Sequence, residues 1–204
     1  MDASRSTIAD QRTGGGVVAN SRLTASAGMI LLVALAVEGI TLFDVNTMFA
    51  LHAFVGLLLV PVALLKMCTT AYRFVKYYTR DQAYRRKGPP HPILRIIGPV
   101  VVISTVALLG TGVVLLAKGP RNSGTLVSLH QASFIVWVSA TTIHVLGHIV
   151  ETFRLTADDL RSDAADEVPG VAIRRVVLLL CVVIGLGLGV ASLGWNDAWT
   201  HAFR

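Results

Sequence analysis

Charge is scarce in this 204-residue chain: Asp, Glu, Lys and Arg make up 15% of it, against 53% hydrophobic residues. An ordinary soluble domain carries about 25% charge, so that class is excluded. Cysteine is nearly absent. The two present, Cys68 and Cys181, cannot build a disulfide framework, and both fall in apolar runs where a thiol acts as a small packing residue. The strict alternation of apolar and polar residues that marks a membrane β-barrel is missing. The first twenty residues hold no apolar run, and "EGITLFDV", which follows the first such run, offers no small-residue cleavage site. The first span therefore reads as an uncleaved anchor.

What the chain does have is five long apolar stretches, roughly 24–43, 48–70, 96–117, 126–150 and 176–193. Each approaches the ~20 residues needed to cross a ~30 Å hydrocarbon core, and in lipid a helix satisfies its own backbone groups. The expected fold class is an all-α integral membrane protein of five transmembrane helices, four forming a bundle and the fifth peripheral to it. Residues 1–22, polar and Gly/Ser-rich, are expected to be a disordered N-terminus. Residues 23–195 form the membrane domain and 196–204 a short external tail.

Basic residues set the orientation. Fourteen lie on one side, seven of them between Arg73 and Arg95, against Lys118, Arg121 and Arg204 on the other. The positive-inside rule places the N-terminus in the cytoplasm, the C-terminus outside and the protein in the cell membrane as a multi-pass chain. Trp195 and Trp199 are then expected at the outer interface. The sequence pI of about 9.8 reports this topology and attraction to anionic lipid; no nucleic-acid partner is expected.

Histidine is the informative polar residue. The fourth stretch, "LHQASFIVWVSATTIHVLGHIVE", carries His130, His144 and His148, and the second carries His52 in "FALHAFVGLLLV". An unpartnered imidazole in hydrocarbon is costly. The second and fourth spans are parallel, and His52 and His130 fall at matching depth near their outer ends. Two such histidines can clamp one haem, an imidazole on each face of the iron. The absence of a CxxCH motif excludes covalent c-type attachment. Gly39, Gly56, Gly110 and Gly112 lie at the same level, where glycine admits a flat macrocycle or another backbone. In the fifth span "GLGLG" sits mid-run, so Gly185 and Gly189 read as a helix-packing face and not as a phosphate loop.

His130 and His144 have thirteen residues between them. That spacing, opposite a histidine-bearing parallel helix, resembles the four-helix di-haem b-type cytochromes, which include the cytochrome b subunits of hydrogenases and formate dehydrogenases. The likeness covers roughly residues 24–150. It implies haem b, an outer haem on His52 and His130, and His144 as half of an inner site. It also implies electron transfer between a quinone or quinol and an extracytoplasmic or membrane redox partner protein. Such a chain is an oxidoreductase's membrane subunit and not a stand-alone enzyme. Here the chain departs from the family: fourteen residues beyond His52 stands Lys66, followed by Met67. One haem is therefore expected, with two possible.

His144 and His148, at i and i+4, point the same way and cannot bind opposite faces of one iron. With Lys66 and Met67 they mark a second haem, a quinone site or a proton site. Glu38, the one carboxylate well inside a span, orients a ligating imidazole, carries protons or snorkels to water. Lys118 and Arg121 are candidates to pair with haem propionates. The rival reading is a cofactor-free structural subunit, or a transport protein that handles a metal ion through its intramembrane histidines.

Overall fold

The computed structural model describes the backbone of residues 2–14 and the backbone and side chains of residues 15–86, 92–161, 168 and 170–202. Every regular element among them is helical. The long helices are α1 (Asp2–Thr41), α2 (Phe49–Tyr78), α4 (Pro92–Lys118), α5 (Gly124–Leu160) and α6 (Val171–Ser192). Two short helices, α3 (Gln82–Arg86) and α7 (Asp197–Ala202), join or follow them. Five helices are long and apolar enough to cross a membrane. Several of their Ser and Thr hydroxyls are spent locally: Ser104, Thr105, Ser139 and Thr142 each donate to the carbonyl four residues back. An apolar helix can carry hydroxyls on these terms.

The two ends of the bundle differ in chemistry. At one, here the tryptophan end, α1 turns into α2 and α4 into α5, and α7 folds back. At the other, the basic end, lie α3 and the start of α6. Helices α1, α2, α4 and α5 surround a cavity of about 1410 Å³, while α6 contributes no lining residue. Instead α6 packs on α2 and α1. Its glycines allow this: a Cβ on Gly185 would lie 2.7 Å from the Leu58 carbonyl oxygen, and one on Gly189 2.8 Å from the Phe54 ring. The helices meet backbone to backbone, as small-residue faces permit.

Both termini correct the expected boundaries. The expected disordered segment 1–22 is helical from Asp2, and Val17, Ser21 and Arg22 are buried. Asn20 donates to the Thr69 carbonyl oxygen on α2 (3.2 Å). Among the described side chains of this stretch, Asn20 and Arg22 reach partners on other helices, while Ser21 bonds to the Val17 carbonyl oxygen of its own helix. The expected tail 196–204 is, over 197–202, the helix α7. Trp199 is only 7% exposed; it stacks on Phe49 at 5.7 Å and donates to the Leu115 carbonyl oxygen (3.3 Å). Trp195 stays open at 56% exposure, as an interface residue should, whereas Trp199 closes the end of the bundle.

A charge cluster ties the basic end. Asp159 of α5 accepts from Arg174 of α6 at 2.5 Å, and Arg22 of α1 stands 3.9 Å from the same oxygen. All three side chains are buried, and Arg175 donates to the Asp159 carbonyl oxygen (3.2 Å). Three helices are thus pinned through one carboxylate.

Candidate functional site

Near the tryptophan end, His52 on the first turn of α2 and His130 on the second turn of α5 both line the cavity, with ring centres 6.4 Å apart and planes at 87°. The helices are parallel, so two early residues land at one level. Each ring is fixed through Nδ1. For His52 the partners are Glu38 Oε1 at 2.8 Å and Thr41 Oγ1 at 3.1 Å. For His130 the partner is Thr111 Oγ1 at 2.9 Å.

The threonines decide the tautomers. Thr41 Oγ1 donates its proton to the Glu38 carbonyl oxygen (2.6 Å), and Thr111 Oγ1 donates to the Ala107 carbonyl oxygen (2.7 Å). Each hydroxyl then has only lone pairs left for a histidine, so Nδ1 must carry the proton and donate. The Glu38 carboxylate demands the same of His52. With Nδ1 donating, Nε2 of each ring is left as a lone pair; the His130 ring also has the Leu108 backbone carbonyl beside it. Two imidazoles held from behind with Nε2 free is the arrangement that ligates a metal centre.

Gly112 faces this pair: a Cβ there would stand 3.2 Å from His130 Cε1. Gly56 also lines the cavity, close to Glu38. The other two expected glycines do not belong to the site. A Cβ on Gly39 or Gly110 meets nothing within 4 Å, and neither residue lines the cavity. At 100° per residue Gly110 lies ~200° around the helix from Gly112 and so faces away. Lys118 and Arg121 stand apart from the cavity. Both are exposed, neither lines the cavity, and Lys118 Nζ donates to the Asn122 carbonyl oxygen within its own loop (2.9 Å).

His144 and His148 lie toward the basic end of the same cavity, ring centres 4.8 Å apart on one face of α5. Fourteen residues at 1.5 Å separate His144 from His130 by ~21 Å. His148 Nδ1 is 3.8 Å from Glu151 Oε2, and His144 Nδ1 is buried without a partner. Lys66 and Met67 line this half too, and Lys66 Nζ donates to the Thr24 carbonyl oxygen (3.2 Å). Among the described residues no group of three or more His, Cys, Asp or Glu is placed to hold a metal ion. His91 lies outside the described residues.

Sequence reading missed Thr41, Thr111 and Asp159, and it placed Trp199 at the interface without its role in closing the bundle. Thr111 carried a signal, standing between two glycines singled out at the histidine level; the others become visible only once the helices are assembled. No protein-family model, curated protein or solved structure matches this chain.

Proposed function

We propose that this protein is a membrane-spanning b-type cytochrome that passes electrons between a quinone or quinol and a redox partner protein, using one haem held by His52 and His130. The observation that carries the reading is the pair of imidazoles whose Nδ1–H groups are bonded to Glu38, Thr41 and Thr111, leaving both Nε2 atoms free. The pairing supports it, with the two ring centres 6.4 Å apart. The surroundings suit a flat apolar group, with Gly56 and Gly112 beside the pair and Phe49 and Trp199 covering the cavity's end. A haem held by His52 and His130 would supply reversible one-electron chemistry.

The chain's own groups then have distinct tasks. Glu38 and Thr41 hold the His52 ring and raise its basicity, Thr111 does so for His130, and Trp199 keeps water from that end. The two sides are unequal, a carboxylate behind one ligand and a hydroxyl behind the other, so His52 is the stronger donor. Among the described residues His144 has no imidazole opposite it: Lys66 has turned to the Thr24 carbonyl oxygen, and an ammonium has no lone pair to give. One haem is the expected complement. The basic end faces the cytoplasm of a cell membrane, with the N-terminus on that side, because basic residues are retained there.

The test is the purified, full-length protein. A low-spin b-type spectrum and a pyridine haemochrome ratio of one haem per chain are expected, and His52→Ala or His130→Ala should each abolish the spectrum while the chain still inserts. Colourless protein from haem-sufficient cells, or two single variants with unchanged spectra, would overturn the assignment.

A further inference from the structure

Among the described residues the basic half of the cavity is lined by three cations and one carboxylate, Glu151, an excess of positive charge. Lys66, Arg73 and Arg95 all line it. Lys66 and Arg73 are seven residues apart on α2, two turns and ~10 Å, which puts them on one stripe. The Lys66 side chain is exposed only in part, and its ammonium is ringed by protein. Its single protein acceptor is the Thr24 carbonyl oxygen, so two of its three N–H bonds have none. Arg73 makes no hydrogen bond or ion pair among the described residues, and Arg95 is engaged only by the Tyr78 hydroxyl and ring. The neighbouring carboxylates are committed: Asp81 to Lys76, Asp159 to Arg174, and Glu151 beside His148.

Lys66 is the enclosed one of the three, Arg73 being half-buried and Arg95 exposed; an enclosed cation without counter-charge is costly, and a neutral carbonyl does not discharge it. The surroundings show what can. The walls between the cations are apolar or aromatic, among them Leu94, Phe74, Tyr77 and Phe153. Contacts between α2 and α4 are sparse, and the cavity-lining residues Val102 and Ile103 of α4 and Phe74 of α2 are themselves exposed. In the orientation proposed above, that slot would open to lipid at the level where the acidic lipids of a cytoplasmic leaflet have their headgroups. We infer that the basic half of the cavity, between α2 and α4, is a binding site for one acidic phospholipid, its phosphate held by Lys66, Arg73 and Arg95 and its acyl chains leaving through the α2–α4 slot. Diffuse attraction to a charged surface does not require such a cavity; a discrete site does. The inference does not depend on haem, because none of these cations touches His52 or His130.

The probe is phosphatidylglycerol, with phosphatidylcholine, inorganic phosphate and a short-chain benzoquinone as separate arms. Delipidated full-length protein is titrated with each in non-ionic detergent, bound lipid is counted by native mass spectrometry, and the emission of the cavity-lining Trp137 is followed in parallel. One phosphatidylglycerol per chain should bind at least tenfold more tightly than phosphatidylcholine. Arg73→Gln, at the partly exposed mouth, should weaken it several-fold, and Lys66→Met with Arg73→Gln should erase the preference. Arg154→Gln with Arg161→Gln removes equal charge from exposed sites and should leave it intact. Equal binding of the two lipids, equal losses in the two double variants, or saturation of the site by phosphate or by the quinone would each overturn the inference. The haem spectrum recorded on the same samples shows whether the cytochrome reading stands or falls separately.

Discussion

Replacing Asp159 with Asn tests whether the bundle is held at its basic end by charge. The Asp159 carboxylate is 4% exposed and serves two arginines that are themselves buried, Arg174 at 2.5 Å and Arg22 at 3.9 Å. Asn has nearly the same shape and keeps one acceptor oxygen for Arg174, so packing changes little and the charge alone is lost. Removing one partner of a buried ion pair costs about 3–5 kcal/mol, because the charges left behind stay desolvated. The retained acceptor puts this variant at the lower bound, about 3 kcal/mol, and a chain of this size melts about 2–4 °C lower per kcal/mol. The expected shift is therefore about 6–12 °C. Thermal unfolding of the detergent-solubilised protein, followed by far-ultraviolet circular dichroism and tryptophan fluorescence, measures it. The control is Asp158→Asn: the adjacent residue makes no ion pair in the structure, and an ordinary surface change stays within about 0.5 kcal/mol. If the two variants melt together, the cluster is a by-product of packing and the reasoning fails.

Three further outcomes are expected. Gly112→Val should lose or broaden the b-type spectrum, since even a Cβ lies 3.2 Å from His130 Cε1, while Gly110→Val, which meets open space, should keep it; identical spectra would separate Gly112 from the site. Trp199→Ala should cost about 3–5 kcal/mol and expose the cavity, read as a lower melting temperature and stronger acrylamide quenching of Trp137, with Trp195→Ala near neutral. Reporter fusions after Arg86 and after the C-terminal residue should report opposite sides, cytoplasmic and external; the same side for both would break the five-span topology.

The basic half of the cavity and the histidine half divide along a chemical line. At the tryptophan end Glu38, Thr41 and Thr111 are used to aim the imidazoles, while Asn46 and Gln131 also line the cavity and Glu38 Oε2 is buried without a partner. At the basic end His144 Nδ1 and Thr141 Oγ1 are buried without a partner among the described residues, beside an excess of cations.

Composition and periodicity by themselves determined the helical class, the five long apolar helices, the parallel direction of α2 and α5 and the shared level of His52 and His130. These follow from local rules: apolar length sets a helix that can span, and counting residues from each helix start sets depth. The packing of Gly185 and Gly189 was legible for the same reason, since a GxxxG stripe needs no knowledge of its partner. Partner identity was not legible. Whether Arg22 and Arg174 are loop charges or a buried clasp depends on Asp159 arriving beside them from another helix. Whether Trp199 lies at an interface or seals the bundle depends on where Phe49 and Leu115 stand. Gly110 and Gly112 look alike in sequence, and only the rotation of α4 against α5 turns one to the imidazole and the other away. Tautomer came last, because it required knowing that the Thr41 and Thr111 protons were already given to their own helices, which left His52 and His130 to donate from Nδ1 and to keep Nε2 open.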